Sequence, residues 1–357
     1  MTVLLDQAPR LAAVPLPSPR DLRRAVPLSA AAAARVDDAR SALRRTLRGD
    51  DDRLAVVVGP CSVHDVPAAL EYADRLAPLA ASLSDRLVVA MRVYVEKPRT
   101  TVGWKGLLSD PRLDGSHDLG AGLATARAVF ADVVARGLPV ATEFLDPMLA
   151  PHLTDLVSYG AIGARTAASQ IHRQMVSGLP LPVGIKNATD GDVQVAVDGV
   201  RSAAAPHVHA GVDDDGRLAV VDTEGNADAH VILRGGASGP NYDAHSVEDA
   251  ARRLIAAGRR PRVVVDASHG NSAKDHRRQT AVLGDVARRL AAGDRTVAGV
   301  MIESFLVEGR QDLIGDVSSL VRGQSITDAC LGWSATEDVL RTLADAVSAR
   351  RADGTAR

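Results

Sequence analysis

The chain has 357 residues, of which 42 are basic and 44 acidic, and its formal net charge is -2. This balance gives no global attraction to nucleic acid or an anionic membrane, and no apolar run approaches the roughly 18 residues that a membrane-spanning helix needs. Hydrophobic residues make up 46% of the chain but aromatic residues only 3%, so the core is expected to consist mainly of Ala, Val, Leu and Ile. We therefore expect one large cytoplasmic domain with no nucleic-acid or membrane partner.

The first fifty residues predict an N-terminal extension. This segment is rich in Ala, Arg and Pro and contains one amphipathic helical pattern, from about Ser29 to Leu47. We expect residues 1–50 to take part in subunit contacts.

After the extension, short apolar runs alternate with helix-like stretches. The eight runs lie at 54–58, 87–93, 139–142, 161–164, 182–185, 230–233, 262–265 and 297–302. Continuous Val, Ile and Ala runs are typical of strands buried on both faces of a parallel sheet, and eight strand–helix units make a (β/α)8 barrel. The sequence thus predicts an α/β fold, a TIM barrel over residues 51–351.

Two longer gaps interrupt this alternation. A loop is predicted from Pro98 to Asp118, between the second and third strands. Between the fifth and sixth strands, the Asp213–Gly216 turn lies between alternating segments and predicts an inserted β-hairpin at about residues 207–224.

In such a barrel, catalytic groups come from the carboxyl ends of the strands and the loops that follow them. The groups at these positions are, in order, Cys61, Arg92, Glu143, Arg165, Lys186, Arg234, His269 and Glu303. Solvation alone would place Ser, Thr or Gln at some strand ends, whereas every side chain here can bind a metal or an anion or transfer a proton.

The basic members form one set. Arg92, Arg165, Lys186 and Arg234, with Lys97 just beyond the second strand, concentrate positive charge at one mouth of a nearly neutral protein. Like charges brought together cost free energy unless an anion joins them. This set predicts a multiply charged, phosphorylated substrate.

Cys61, His269 and Glu303 form a second set, which Asp328 could complete. Thiolate, imidazole and carboxylate are compatible ligands for one divalent metal ion per subunit. The thiolate argues against Mg2+ or Ca2+, and the mixed set suits Mn2+, Co2+, Fe2+ or Zn2+ without choosing among them. The other reading is that Cys61 and Cys330 are inert buried thiols.

Six segments, 59–65 (GPCSVHD), 91–106 (MRVYVEKPRTTVGWKG), 142–146 (TEFLD), 160–166 (GAIGART), 232–236 (ILRGG) and 325–333 (SITDACLGW), are long and specific. They resemble the type I, microbial 3-deoxy-D-arabino-heptulosonate 7-phosphate synthases, and the likeness runs from about Asp51 to Arg351. The resemblance implies a metal-dependent condensation of phosphoenolpyruvate with erythrose 4-phosphate, the first step of the shikimate pathway. It also implies a homodimer or homotetramer.

The same resemblance implies roles for individual residues. Cys61, His269, Glu303 and Asp328 match metal ligands, and Asp328 also lies in the substrate site. The matching phosphoenolpyruvate site consists of Arg92, Lys97, Arg165, Lys186 and Arg234, with Gly163 and Ala164 beside Arg165. Glu143 matches a residue that positions water, and Arg99 and Thr100 match the phosphate site of the aldose. Catalytic roles fall to Lys97, as proton donor, and to Cys61, His269 and Glu143.

Two further expectations concern regulation and redox chemistry. Feedback-inhibited members of the family bind Phe, Tyr or Trp beside the hairpin, where this chain has Pro180, His209 and Gly211 instead of Ser, an aromatic residue and Ser. This difference predicts weak or absent inhibition. Cys330 lies two residues after Asp328, so Cys61 and Cys330 are predicted neighbours, able to form a disulfide after metal loss through a Cys61 thiolate of lowered pKa.

Two alternatives remain open. One is a related phosphoenolpyruvate/aldose-phosphate synthase, for example one that makes octulosonate 8-phosphate from arabinose 5-phosphate; the Lys97–Thr101 string favours the four-carbon acceptor. The other is a catalytically silent barrel that acts as regulatory partner of a chorismate mutase. Such a protein would be expected to have lost a ligand, and none is lost.

Overall fold

The computed structural model describes residues 13–99, 101–314 and 317–355. The strands in these ranges are β1 Leu54–Gly59, β2 Leu87–Arg92, β3 Val140–Glu143, β4 Val157–Ile162, β5 Val183–Lys186, β6 His207–Val212, β7 Leu218–Thr223, β8 Ala229–Leu233, β9 Val263–Asp266, β10 Val297–Glu303, β11 Val307–Arg310 and β12 Gln324–Ser325. The helices are α1 Pro19–Ala25, α2 Ala30–Arg48, α3 Val66–Ser82, α4 Leu119–Ala135, α5 Gln170–Gly178, α6 Gln194–Ala203, α7 Ala244–Ala256, α8 Gln279–Ala291 and α9 Trp333–Thr355. Short 3-10 helices lie at Ala150–His152, Thr154–Leu156, His276–Arg278 and Val317–Ser319.

The strands β1 to β5 and β8 to β10 are parallel and close into one barrel. Each pairs with the next in this order, and β10 closes the ring by pairing with β1, up to the pair Gly59 and Glu303. All residues of these eight strands are buried, as expected for continuous apolar runs covered by helices on the outside. The predicted TIM barrel is confirmed.

None of the helices in the described ranges has both the length and the apolar character that a membrane span requires.

The fourth strand differs from its predicted position. It begins at Val157, four residues before the predicted 161–164 run, and ends at Ile162. The polar groups of Ser158 and Tyr159 interrupt the apolar pattern, yet both residues are buried. The Tyr159 hydroxyl can be buried because it forms a hydrogen bond of 2.8 Å with His230 Nε2 on β8.

The N-terminal extension closes one end of the barrel. Ser29 caps α2 by accepting a hydrogen bond from the Ala32 amide at 3.2 Å, so the predicted helix is confirmed, whereas α1 was not predicted. Leu43 and Leu47 pack in one apolar cluster with interior barrel residues. Arg40 donates to the carbonyl oxygen of Val157, the first residue of β4, at 2.9 Å. The helix therefore covers the amino-terminal ends of the strands and leaves the carboxyl ends open.

The predicted hairpin forms between the fifth and sixth barrel strands. The strands β6 and β7 pair antiparallel from His207 with Thr223 to Val212 with Leu218. The Asp213 carboxylate accepts hydrogen bonds from the amides of Asp215 and Arg217 at 2.9 Å each, and Gly216 has a φ of 79°. These features are those of a tight turn that favours Asp and Gly.

Candidate active site

A cleft at the carboxyl ends of the barrel strands brings together most of the predicted site. The predicted residues that line it are Lys97, Arg99, Glu143, Gly163, Ala164, Arg165, Lys186, Arg234, His269 and Asp328. Cys61, Arg92 and Glu303 lie beneath it and are fully buried. Thr100 is outside the described residues.

One group of side chains fits a single metal ion. Donor atoms of Cys61, Glu303 and Asp328 all lie within 4.8 Å of one another, and the Cys61 Sγ is 3.7 Å from Asp328 Oδ2. His269 Nε2 lies 3.9 Å from Glu303 Oε1. Ligand bonds to such ions are about 2.0 to 2.3 Å, so donors around one ion lie roughly 3 to 4.6 Å apart. Cys61, Glu303 and Asp328 therefore suit one divalent ion, and His269 lies beside this group through its contact with Glu303.

Two further residues orient these ligands, and the sequence did not single out either one. The other ring nitrogen of His269, Nδ1, lies 3.0 Å from Asp266 Oδ2, which turns Nε2 toward Glu303. Ser268 Oγ donates a hydrogen bond of 2.8 Å to Glu303 Oε2. A carboxylate on the outer nitrogen of a histidine is a common support for metal ligands. The signal in the sequence was the acidic residue directly after three valines, at Asp266.

The basic set is arranged around buried carboxylates. Lys186 Nζ lies 2.8 Å from Asp266 Oδ2, and Arg92 Nη2 lies 3.1 Å from Glu303 Oε1. Burial opposes the charged form of Asp266, but His269 and Lys186 hold the pKa of that carboxyl well below its usual range. Both members of each pair are therefore charged: the cations are Lys186 and Arg92, and the carboxylates are Asp266 and Glu303.

Three buried polar atoms of the predicted site lack a hydrogen-bond partner. They are Nη1 of Arg92, a donor, Oε1 of Glu143, an acceptor, and Nδ1 of His269, which lies close to Asp266 without hydrogen-bond geometry. Buried polar atoms are normally satisfied, so such atoms in a cleft point to a ligand or water. A donor for an anion and an acceptor for water are the two groups that the predicted chemistry needs.

Lys97 joins the metal group to the substrate cleft. Its Nζ lies 3.0 Å from the Cys61 Sγ and 3.4 Å from the Cys61 carbonyl oxygen. Burial opposes the ammonium form, but Cys61, Glu303 and Asp328 raise the pKa of Lys97. The side chain is thus a protonated ammonium between the metal ligands and the cleft.

Comparison with known proteins agrees with this geometry. A family model described as the DAHP synthetase I family matches residues 29–341. The chain belongs to the DAHP synthetase I family. A phospho-2-dehydro-3-deoxyheptonate aldolase of Corynebacterium glutamicum is 52% identical to this chain over 343 residues. The alignment covers 94% of this chain and 93% of that protein.

Other family members are similarly close. A Phe-sensitive aldolase of the same name from Escherichia coli is 50% identical over 325 residues, covering 91% of this chain and 92% of that protein. The solved structure of the Francisella tularensis aldolase has a TM-score of 0.93 and 45% identity, over 96% of this chain and 99% of that one. The match therefore extends over nearly the whole of each protein.

The two cysteines of this family member are neighbours, as predicted. The Cys61 amide donates to Cys330 Sγ at 3.4 Å, and both residues are buried with free thiols. The expected lowering of the Cys61 pKa was wrong. Burial, with the nearby Glu303 carboxylate, raises the pKa of Cys61 to about 12 and outweighs the opposite effects of Lys97 and Arg92.

A separate apolar pocket lies beside the hairpin. His209 and Gly211 line it together with Ile171, Met175 and Leu179. Pro180 follows Leu179 directly but is not one of the lining residues. Two of the three positions on which the prediction of weak feedback inhibition rests therefore face one cavity.

Proposed function

We propose that this chain is a metal-dependent 3-deoxy-D-arabino-heptulosonate 7-phosphate synthase that condenses phosphoenolpyruvate with erythrose 4-phosphate and releases phosphate. One observation carries the proposal: a donor set for one divalent ion, in which Cys61 and Glu303 are buried, lies directly beside a cleft lined with basic groups. The proposed role is the first step of the shikimate pathway, in the cytoplasm.

In this proposal, phosphoenolpyruvate binds to the basic set. Arg92 and Lys186 lie deepest, where their charges are buried, and Arg165 and Arg234 line the cleft above them. Guanidinium and ammonium groups form charge-assisted hydrogen bonds with carboxylate and phosphate oxygens. Arg99, which also lines the cleft, would hold the phosphate of erythrose 4-phosphate together with Thr100.

The chemistry joins these parts. When bound by Cys61, His269, Glu303 and Asp328, an Mn2+, Co2+, Fe2+ or Zn2+ ion would act as Lewis acid on the aldehyde. As the enol carbon of phosphoenolpyruvate bonds to the aldehyde carbon, the Lys97 ammonium donates a proton to the aldehyde oxygen. Glu143 positions water through its unpartnered oxygen, and this water adds to the resulting cationic carbon and loses a proton, which balances the proton given by Lys97. The carbon–oxygen bond to phosphate then breaks, the new hydroxyl becomes the ketone, and its proton leaves with the phosphate.

We further propose weak or absent feedback inhibition and an oligomeric enzyme. A Cβ at Gly211 would meet Val221 Cγ2 at 2.7 Å, so a Ser at this position would require the Val221 side chain to move. The catalytic unit is residues 51–351, and residues 1–50 would contribute to contacts in a homodimer or homotetramer.

A coupled assay tests this function. Purified protein is incubated with phosphoenolpyruvate and erythrose 4-phosphate, with and without a chelator, and both products are measured. We expect stoichiometric phosphate and heptulosonate that require a divalent ion. Faster turnover with arabinose 5-phosphate would favour the related synthase, and no condensation with any added divalent ion would favour a silent regulatory barrel.

A further inference from the structure

Asp266 occupies a central position beneath the cleft. It is the last residue of β9 and is fully buried. Its Oδ2 lies 2.8 Å from Lys186 Nζ and 3.0 Å from His269 Nδ1, and its Oδ1 accepts a hydrogen bond from the Ser268 amide at 3.0 Å. A single carboxylate oxygen thus contacts one group from the proposed substrate site and one from the proposed metal site.

This arrangement exceeds what stability requires. A buried carboxylate costs several kcal/mol unless it is paired, and one buried cation would be enough to pair it. Here Asp266 has two partners, Lys186 at the end of β5 and His269 in the loop after β9, and both belong to the proposed active site. The carboxylate is therefore placed to orient both of them.

Each contact has a specific consequence. The Asp266 charge 3.0 Å from His269 Nδ1 favours a proton on that nitrogen and leaves Nε2 free as a ligand, although the contact does not have hydrogen-bond geometry. The same oxygen holds the flexible Lys186 ammonium in one position under the cleft, which reduces the entropy lost when an anion binds.

We propose that Asp266 is a positioning residue that couples divalent-ion binding to phosphoenolpyruvate binding through this shared oxygen. The inference rests on the proposed function. Arg92 and Glu303 form a second bridge between the same two sites, and it remains when Asp266 is changed. Loss of Asp266 therefore weakens both binding events without abolishing either.

The test uses Asp266→Asn, which removes the charge at constant size. Co2+ affinity is measured by competition with a chromophoric chelator, and phosphoenolpyruvate affinity by calorimetry at saturating Mn2+. We expect Co2+ affinity to fall about 10- to 100-fold, the usual cost of losing an outer-shell partner of a metal ligand. Phosphoenolpyruvate affinity should fall about tenfold or more, because Lys186 loses its anchor.

A double variant separates positioning from general damage. Asp266→Asn with Lys186→Met leaves no unpaired Lys186 charge, so it remains informative if the single variant does not fold. Relative to Lys186→Met alone, the double variant should lose Co2+ affinity to the same extent as the single Asp266 change. Its phosphoenolpyruvate affinity should stay within about twofold of Lys186→Met, since Asp266 acts on this substrate through Lys186.

The control is Asp155→Asn. Asp155 pairs with the buried Arg127 at 2.7 Å, and neither residue lines the cleft, so this change should lower stability but neither affinity. Unchanged Co2+ affinity in Asp266→Asn, or a further loss of phosphoenolpyruvate affinity in the double variant, would overturn the inference. If the wild-type protein condenses both substrates and Asp266→Asn binds Co2+ and phosphoenolpyruvate equally well, the coupling alone is refuted. If the wild-type protein does not condense the substrates, the proposed function is refuted.

Discussion

The ammonium of Lys97 contacts the thiol of Cys61, with 3.0 Å between Nζ and Sγ. Lys97 comes from the long loop after β2, and Cys61 follows β1, so the contact joins a substrate-binding loop to a proposed metal ligand. A proton donor held at this point can reach an aldehyde oxygen bound beside the ion. The contact thus makes Lys97 the first residue to test.

We expect Lys97→Met to lower kcat by about 10²- to 10⁴-fold, the usual contribution of a positioned general acid. Metal content should be unchanged, because all four proposed ligands remain. Steady-state kinetics and elemental analysis of the same preparation check both statements. Lys105→Met, a change of a neighbouring lysine outside the cleft lining, serves as control; equal kcat in the two variants would contradict the role of Lys97.

Metal dependence is the second prediction. Chelation should abolish turnover, and Mn2+ or Co2+ should restore it, because the four ligands supply the Lewis acid. Cys61→Ala should bind metal weakly and remain inactive after addition of metal. Cys330→Ala is the matched control, since it removes the other buried thiol and none of the proposed ligands. Full activity of Cys61→Ala without metal would refute this site.

Arg165→Ala should weaken phosphoenolpyruvate binding without unfolding the protein. Arg165 lines the cleft, and each charge-assisted hydrogen bond lost is worth roughly 1.5 to 3 kcal/mol, or about 10- to 150-fold in affinity. Calorimetric titration measures the change. Arg136→Ala removes a surface arginine that pairs with Asp74 and should leave the affinity unaltered. A wild-type affinity in Arg165→Ala would remove this residue from the site.

Phe, Tyr and Trp should each inhibit weakly or not at all. His209 and Gly211 line the pocket beside the hairpin, and we proposed that they stand in place of an apolar wall and a hydroxyl, so an aromatic amino acid should find fewer contacts there. Initial rates over a range of each amino acid test this, with the Phe-sensitive Escherichia coli relative as positive control. Half-maximal inhibition at micromolar concentration would show the prediction to be wrong.

His230 should make stability fall in mild acid. Burial lowers the pKa of His230 to about 4, and its ring contacts the Tyr159 hydroxyl and the Asp228 carbonyl oxygen. In the unfolded chain His230 binds a proton below about pH 6.5, whereas in the folded protein it stays neutral down to about pH 4. The contribution of His230 to stability is therefore fully present above about pH 6.5, and the free energy of unfolding falls by roughly 3 kcal/mol as the pH drops to about 4.

Thermal unfolding of His230→Gln at pH 7 and pH 5 checks this expectation. The variant should be less stable than wild type at pH 7 but should lose less Tm between the two pH values. His245→Gln changes an exposed histidine and should keep the wild-type pH dependence. Identical pH dependence in all three proteins would exclude His230 as the cause.

Sequence patterns alone predicted the barrel, the hairpin and the groups at the strand ends. A run such as Val263–Val265 reports burial on both faces, and closure of a parallel barrel brings all eight carboxyl ends to one mouth whatever the side chains are. This is why residues as distant in sequence as Cys61 and Glu303 were predicted to lie together, and why their donor atoms lie within 4.8 Å of each other.

Only the tertiary structure decided what these groups contact across the barrel. Lys186 and Asp266 are 80 residues apart, and no periodicity relates their side-chain directions, so the shared oxygen between Lys186 and His269 was invisible in the sequence. The start of β4 at Val157 depended on His230 satisfying Tyr159, and the raised pKa of Cys61 depended on complete burial. Local patterns encode which face of a strand is buried, whereas pairing between buried polar groups and the pKa values that follow from it arise from contacts between distant segments.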